Sequence, residues 1–124
     1  TSISLITYGI GVVWAQDFLK KNSSYNSLVE IIDLRTLLPW DKETVINSIK
    51  KTNKVMILHE DNLTGAISGE ISAYITEYAF EYLDAPIVRL GSIDTPVPFE
   101  KNLEKEIFMP INKISKNIKK LLEY

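Results

Sequence analysis

Short apolar runs alternate with amphipathic stretches along this chain, and this alternation is typical of a parallel sheet covered by helices. Four of the runs predict β-strands, at residues 3–8, 28–32, 55–58 and 87–90. The run at 28–32 is nearly continuous, as expected for a strand that is buried on both faces. We therefore predict an α/β fold with three layers, α/β/α, and a mostly parallel sheet.

Apolar residues at helical spacing predict four helices between and after these strands. Pro86 ends the third helix because proline cannot donate the next backbone hydrogen bond, and residues 94–98 are predicted to be extended. The predicted helices begin after the glycine turn at residues 9–11, after an N-cap at Asp41, near Thr64 or Gly65, and at Pro110.

The composition is that of one ordinary globular domain of 124 residues, with 45% apolar and 24% charged side chains. The 14 basic and 16 acidic residues leave a net charge of −2, whereas nucleic-acid binding normally needs a strongly basic face. The chain has no cysteine, so we expect neither a disulfide nor a thiolate site, and the cytoplasm is the default compartment.

Neither a membrane span nor a targeting segment is predicted. No apolar stretch approaches the roughly 20 residues that are needed to cross a bilayer. The first residues lack an initiator methionine, a basic region and a long apolar core, so they do not resemble a signal peptide. We expect the chain to be a fragment of a longer protein.

The turn Gly9-Ile10-Gly11 lies between a predicted strand and a helix, and Asp33 ends the next strand, as in dinucleotide-binding folds. The fingerprint fails at its third position, where Trp14 stands instead of a glycine or alanine. A tight turn into a packed helix is the preferred interpretation. A stand-alone nucleotide-binding module that uses Gly9, Gly11 and Asp33 is the alternative.

His59 is the only histidine, and it is the first candidate for proton transfer because imidazole titrates near neutrality. It lies at the predicted carboxyl end of a strand, but no convincing nucleophile is near it in sequence. Adjacent residues such as Glu60 and Asp61 point to opposite faces of an extended chain, so a metal site is not favoured. We expect a buried or interface histidine, hydrogen-bonded to Glu60 or to a backbone group.

Other candidate residues have structural explanations as well as functional ones. Asp33 and Arg35 lie two apart on an extended chain, so they can pair with each other or with a partner chain. Trp40, just before the N-cap, is expected to be a packing residue. Gly65 and Gly69 place two bare backbone patches on one helix face, which suits close packing.

Five segments carry a family resemblance: 33–41 (DLRTLLPWD), 52–60 (TNKVMILHE), 64–70 (TGAISGE), 83–89 (LDAPIVR) and 94–98 (DTPVP). Together they closely resemble the transketolase C-terminal domain. The form that they resemble is found in the β subunit of the thiamine-diphosphate-dependent decarboxylating component of 2-oxoacid dehydrogenase complexes. We predict one domain of this kind over residues 1–124.

The chain departs from the pattern of this family in two places. Gly-Gly usually follows the threonine, with a further glycine before the acid, whereas this chain has Gly65-Ala66 and Ser68-Gly69. The sheet of the family has five strands, and its antiparallel first strand would lie upstream of this segment. We therefore expect that edge strand to be missing, and an uncovered strand edge is prone to pair with another chain.

The resemblance implies a non-catalytic domain of an enzyme. In the family, thiamine diphosphate and its Mg²⁺ are held by other domains, so we expect no catalytic, cofactor-binding or metal-binding residue here. The implied parent enzyme decarboxylates pyruvate or a branched-chain 2-oxoacid oxidatively and transfers the product to a lipoyl group. The fragment alone is expected to be inactive and to build the subunit interface that frames the active site.

The resemblance also implies partners. These are an α subunit or fused α portion, a second β subunit and the lipoyl acyltransferase core, in the cytoplasm or in a mitochondrial matrix, with no nucleic acid and no membrane. A docking module for the acyltransferase core and a site for a regulatory ligand are alternatives. The residues expected at interfaces are Asp33, Arg35, Trp40, His59, Glu60, Gly65, Gly69, Arg89 and Asp94.

Overall fold

Strands and helices alternate along the part of the chain that the computed structural model describes, residues 1–93 and 111–124. The strands are β1 (Ile3–Thr7), β2 (Val29–Asp33), β3 (Val55–Asn62) and β4 (Val88–Ser92). The helices are α1 (Ile10–Lys21), α2 (Lys42–Thr52), α3 (Ile67–Ala79) and α4 (Ile111–Leu122), with short 3₁₀ helices at Ser23–Tyr25 and Phe80–Tyr82.

The four strands form one sheet in the order β2-β1-β3-β4, and every neighbouring pair is parallel. In this register, Leu5 of β1 lies between Ile31 of β2 and Met56 of β3. The chain winds from β1 to β2 in one direction and to β3 and β4 in the other. This reversal leaves a crevice at the carboxyl edge of the sheet, where open α/β sheets place their functional groups.

Apolar side chains fill both faces of the sheet, which confirms the three predicted layers. Leu5 faces the first core and Ile6 the second, because successive side chains of a strand point to opposite faces. In the first core, α1 and α4 contribute Trp14, Ala15, Phe18, Ile114, Ile118 and Leu121. In the second core, α2 and α3 contribute Val45, Ile49, Ile71, Ile75 and Ala79.

The helix start agrees with the sequence expectation at α2, whereas α1 begins at Ile10, inside the glycine turn instead of after it, and α3 begins late. Asp41 caps α2 as predicted, since its Oδ1 accepts a hydrogen bond from the Thr44 amide at 3.1 Å. α3 begins later than expected, at Ile67, because Gly65 adopts a φ of +77°, outside the helical region. The prediction that Gly65 and Gly69 share one helix face is therefore wrong.

β3 is longer than the apolar run that predicts it. The run ends at Leu58, but the strand continues to Asn62, where it pairs with Ser92 of β4 after a break in the register. Such an irregularity re-aims the side chains near the end of a strand. The extension brings His59 onto the sheet itself instead of leaving it in a loop.

Some expectations from the sequence lie outside the described residues. They are the role of Asp94, the extended segment 94–98 and the helix start at Pro110. Within the described ranges the sheet has four parallel strands, with β2 and β4 at its edges. None of the helices in these ranges is long and apolar enough to cross a membrane.

Candidate functional site at the carboxyl edge of the sheet

The carboxyl edge of the sheet brings together most of the residues that the sequence pointed to. Parallel strands end at one edge, so the segments after β1, β2 and β4 lie beside the polar end of β3. Tyr8 and Ile93 follow β1 and β4, Asp33 is the last residue of β2, and the end of β3 contains His59 and Asp61. This edge is the candidate functional site.

The glycine turn before α1 is explained by backbone geometry and close packing. Gly9 has a φ of +57°, which favours glycine. A Cβ on Gly11 would lie 2.1 Å from Thr7 Oγ1 and 3.1 Å from the carbonyl oxygen of Leu58. Thr7 Oγ1 donates to that same carbonyl at 2.8 Å, so α1 starts directly on the ends of β1 and β3. Trp14 then packs in the first core, as the tight-turn interpretation expects.

His59 lies at the centre of this edge and is fully buried, with 0% exposure. Its Nε2 is 2.7 Å from the Oγ of Ser68, in the first turn of α3, and its ring stacks on Tyr8 at 6.1 Å between centroids. A Cβ on Gly91 would lie 2.5 Å from His59 Cε1, so β4 is bare where the ring packs. The expected burial is confirmed. The side-chain partner is Ser68, where the sequence predicts Glu60 or a backbone group, because the first turn of α3 docks beside the ring.

Burial favours the neutral forms of His59 and Tyr8. Burial lowers the pKa of His59, and the nearby Asp61 carboxylate opposes this shift only in part. Tyr8 donates its hydroxyl proton to Asp61 Oδ2 at 2.7 Å, and burial together with this hydrogen bond raises the pKa of Tyr8. Among the described residues, His59 Nδ1 has no hydrogen-bond partner. Through these contacts the enclosed His59 ring ties β3 to Tyr8, just before α1, and to Ser68 in α3.

Arg89 lies on the edge strand β4 and reaches back to the start of α3. Its Nη1 donates to the carbonyl oxygen of Leu63 at 3.3 Å and lies 3.5 Å from the Oγ of Ser68. A Cβ on Gly69 would lie 3.5 Å from the same Nη1, which is an ordinary contact distance. Arg89 therefore links β4 to the loop that leads into α3, and Gly69 faces it.

Asp33 and Arg35 pair with each other, with Arg35 Nε 3.4 Å from Asp33 Oδ2. The geometric reason expected from the sequence is wrong, since Arg35 has a φ of +54° and is not extended. The Arg35 side chain is 85% exposed, and a surface pair of this kind contributes about 0–1 kcal/mol. Trp40 is a packing residue as expected, because it lies in the second core with its ring edge-on to Tyr74 at 5.1 Å.

Four exposed aliphatic side chains lie along this edge, and the sequence did not single them out. Leu38 is 91% exposed in the loop between β2 and α2, and Ile93 is 44% exposed after β4. Ile10 and Val13 are 39% and 47% exposed at the start of α1. Burial of a leucine side chain stabilises by about 1.5–3 kcal/mol, so Leu38 leaves that free energy available to a partner.

Charged side chains share the edge with these aliphatic ones, and Asp33, Arg35, Glu60 and Asp61 are all exposed. In the part of the chain that the structure describes, no group of three or more His, Cys, Asp or Glu side chains could hold a metal ion. The edge therefore presents a mixed apolar and charged surface in front of a buried polar cluster.

The fold and this edge define a class of protein: a doubly wound parallel α/β domain with an exposed aliphatic surface at the carboxyl ends of its strands. The sequence profile of the family described as "Transketolase, C-terminal domain" matches residues 1–114 of the chain. The chain belongs to this family.

Similar curated proteins are β subunits of 2-oxoacid dehydrogenases. The chain is 36% identical over 124 residues to "Pyruvate dehydrogenase E1 component subunit beta" of Rickettsia felis, across 100% of this chain and 38% of that protein. It is 35% identical over 123 residues to "2-oxoisovalerate dehydrogenase subunit beta" of Bacillus subtilis, across 98% of this chain and 38% of that protein. With the mitochondrial 2-oxoisovalerate dehydrogenase subunit beta of Dictyostelium discoideum, identity is 55% over 74 residues, 58% of this chain and 20% of that protein. The chain thus spans well under half the length of these relatives.

A solved structure described as "Split gene transketolase, inactive beta4 tetramer" has the same fold. It superposes with a TM-score of 0.79 over 98% of this chain and 38% of that chain, at 19% sequence identity. At this level of identity the likeness concerns the fold alone.

Proposed function

We propose that residues 1–124 form a non-catalytic assembly domain within the β subunit of a 2-oxoacid dehydrogenase. The parent enzyme would decarboxylate pyruvate or a branched-chain 2-oxoacid oxidatively and pass the product to a lipoyl group. The relatives named for pyruvate and 2-oxoisovalerate dehydrogenases support this proposal. The domain accounts for only 38% of such a protein, so the remaining parts of the parent chain would carry the chemistry.

The observation that carries the assembly role is the aliphatic surface of the carboxyl edge. Leu38, Ile10, Val13 and Ile93 are exposed there, beside the charged ends of β2 and β3. Exposed apolar side chains that gather on one surface are typical of protein interaction sites. The one histidine, by contrast, is enclosed and unable to reach a substrate.

Thiamine diphosphate and Mg²⁺ are the cofactors of the parent enzyme in this proposal, and they would bind outside this domain. When bound in the parent enzyme, thiamine diphosphate would supply the nucleophile and the electron sink that 2-oxoacid decarboxylation needs. We therefore assign to this chain the surfaces around the active site and no step of the reaction.

The proposed partners are an α subunit or fused α portion, a second β subunit and the lipoyl acyltransferase core. The compartment would be the cytoplasm or a mitochondrial matrix. Among the interface candidates, Asp33, Arg35, Glu60, Gly65 and Arg89 would contact partners directly, since they are exposed. His59, Trp40 and Gly69 would act from behind the surface by holding its loops in place. Asp94 stays a candidate.

Charged substitutions on the edge test the proposal in the complete protein, assembled with its partners. We expect Val13→Asp and Leu38→Asp to lower the assembled fraction in native mass spectrometry, and 2-oxoacid decarboxylation to fall in proportion to it. Phe80→Asp is the matched control, because Phe80 is 68% exposed and follows the carboxyl end of α3, at the opposite edge of the sheet. Normal assembly of both edge variants would contradict the proposal, as would tight binding of thiamine diphosphate with Mg²⁺ to residues 1–124 alone.

A further inference from the structure

Two pairs of lysine and tyrosine side chains join α2 to α3, which pack together over the second core. Lys42 Nζ lies 4.8 Å from the centre of the Tyr74 ring, and Lys50 Nζ lies 5.4 Å from the centre of the Tyr82 ring. Both distances are within the roughly 6 Å at which an aromatic ring attracts an ammonium group. The two lysines stand about two turns apart on α2, so the same kind of contact forms at each end of the seam between the helices.

The pair of Lys42 and Tyr74 also includes Trp40, the residue that anchors the loop before α2. The Trp40 ring stands edge-on to Tyr74 at 5.1 Å between centroids, and Lys42 Nζ lies 5.8 Å from the centre of the Trp40 ring. Trp40 is 9% exposed, whereas Leu38, two residues earlier, is 91% exposed. The loop over residues 34–40, here called the edge loop, is therefore held at its end by a cluster of two rings and one ammonium group.

The charge of Lys42 is unfavourable for the helix that carries it. Lys42 is the first residue of α2, where the helix dipole favours an acid and opposes a cation. Lys50 lies in the last turn of the same helix, where the dipole favours a cation. A residue that opposes a local preference is often explained by the function of its site. The helix does not account for a cation at position 42, whereas the contact with the two rings does.

We infer that Lys42 and Tyr74 are positioning residues of the assembly surface. Together they clamp Trp40, and the clamp fixes the edge loop in the form that a partner meets. α3 supplies the fixed end of the clamp, because its first turn is held to β3 by the 2.7 Å contact between Ser68 Oγ and His59 Nε2. The inference rests on the proposed assembly role and adds to it the residues that hold the surface in place from behind.

Tyr74→Leu tests the clamp, because leucine removes both ring contacts without changing the charge. Tyr82→Leu is the matched control, since it removes the other lysine contact, at the far end of the seam. Loss of one aromatic pair and one cation–π contact corresponds to a change in an equilibrium constant of about five-fold or more. We expect amide hydrogen exchange of residues 34–40 in the complete protein to become faster by this factor in Tyr74→Leu and to stay unchanged in Tyr82→Leu. Equal exchange of the edge loop in the two variants overturns the inference.

A double-mutant cycle isolates the contribution of Lys42 from that of the helix dipole. Lys42→Met removes the charge, and its effect on α2 is the same whether residue 74 is tyrosine or leucine. The two substitutions are expected to be coupled by about two- to five-fold in the exchange of the edge loop, the range of one exposed cation–π contact. Strictly independent effects overturn the role of Lys42.

Assembly of the complete protein with its partners decides whether the clamp serves the assembly surface. We expect Tyr74→Leu to raise the dissociation constant about two-fold or more in analytical ultracentrifugation, because only chains with the edge loop in place bind. Tyr74→Phe, which keeps the ring, is expected to restore it. A loosened edge loop with normal assembly overturns the inference and leaves the assembly role intact if Leu38→Asp still lowers assembly. Normal assembly of Leu38→Asp as well overturns both.

Discussion

Addition of one methyl group at Gly91 is expected to destabilise the domain. Gly91 has no side chain, and the buried ring of His59 packs against β4 at this position. A Cβ there would lie 2.5 Å from His59 Cε1 and 2.7 Å from the carbonyl oxygen of Asp61. Both distances are far inside the contact separation of about 3.5–4.0 Å between carbon atoms. Neither neighbour can move away easily. The imidazole is enclosed and bonded to Ser68, and the Asp61 oxygen belongs to the backbone of β3.

Two opposing terms set the magnitude of this effect. Overpacking of a filled core costs about 1–3 kcal/mol. Gly91 does not adopt a positive φ, so alanine also recovers about 0.4–1 kcal/mol of chain entropy. Because the Cβ would meet two neighbours at less than 3 Å, the upper part of the overpacking range, about 2–3 kcal/mol, applies, and we expect Gly91→Ala to lower the free energy of unfolding by about 1–2.5 kcal/mol.

Gly69→Ala is the matched control, because its Cβ would meet only Arg89 Nη1, at 3.5 Å. Inside a helix, alanine is favoured over glycine by about 0.5–1 kcal/mol, so this variant is expected to gain stability. Urea unfolding followed by tryptophan fluorescence measures both variants, since Trp14 and Trp40 lie in different cores. An unchanged midpoint for Gly91→Ala, or equal shifts for the two variants, would refute the packing argument.

Two further substitutions test buried polar groups. The pKa of His59 is lowered in the folded chain, so the unfolded chain binds the proton more readily and the free energy of unfolding should fall as the pH drops below about 6.5. His59→Gln should weaken this pH dependence, measured as the urea midpoint at several pH values. An unaltered pH dependence would contradict the buried, neutral state of His59. The Ser48 hydroxyl lies 2.6 Å from the buried Ser4 Oγ and donates to Glu30. Ser48→Ala should therefore lower the free energy of unfolding, measured by calorimetry, by about 1–3 kcal/mol. Asn47→Ala, at the exposed neighbouring position, should change the free energy of unfolding by no more than about 0.5 kcal/mol. Equal losses in the two variants would contradict a stabilising role for the Ser4–Ser48–Glu30 hydrogen bonds.

The layers of the fold could be predicted because strands that are buried on both faces appear in the sequence as short, nearly continuous apolar runs. Ile3 and Leu5 face the first core and Ile6 faces the second, and the cap at Asp41 acts within one turn of the chain. The predicted end of α3 at Pro86 is wrong, because α3 ends at Ala79 and the 3₁₀ helix Phe80–Tyr82 follows it. The full length of β3 could not be predicted in this way. Its last residue, Asn62, pairs with Ser92, and no pattern local to residues 59–62 contains that tertiary contact.

The burial of His59 was predictable, but its partner was not. Ser68 meets the imidazole only because α3 begins at Ile67 and its first turn docks on the end of β3. The sequence expectation placed this helix start earlier, since Gly65 was assigned to the helix. A positive φ at Gly65 is a choice between two conformations open to glycine, and the surrounding packing decides it.

Leu37 and Leu38 show why the proposed assembly surface could not be predicted from the sequence. They are identical and adjacent, yet one packs against the second core and the other is 91% exposed. A loop has no period, so the direction of each side chain depends on the backbone around it, here on the left-handed turn at Arg35 and the anchor at Trp40. Sequence reasoning selects groups with distinctive chemistry, such as His59 and Trp40, and the fold buries both of them. The proposed assembly surface consists of ordinary aliphatic side chains, so only the folded chain distinguishes them from those of the core.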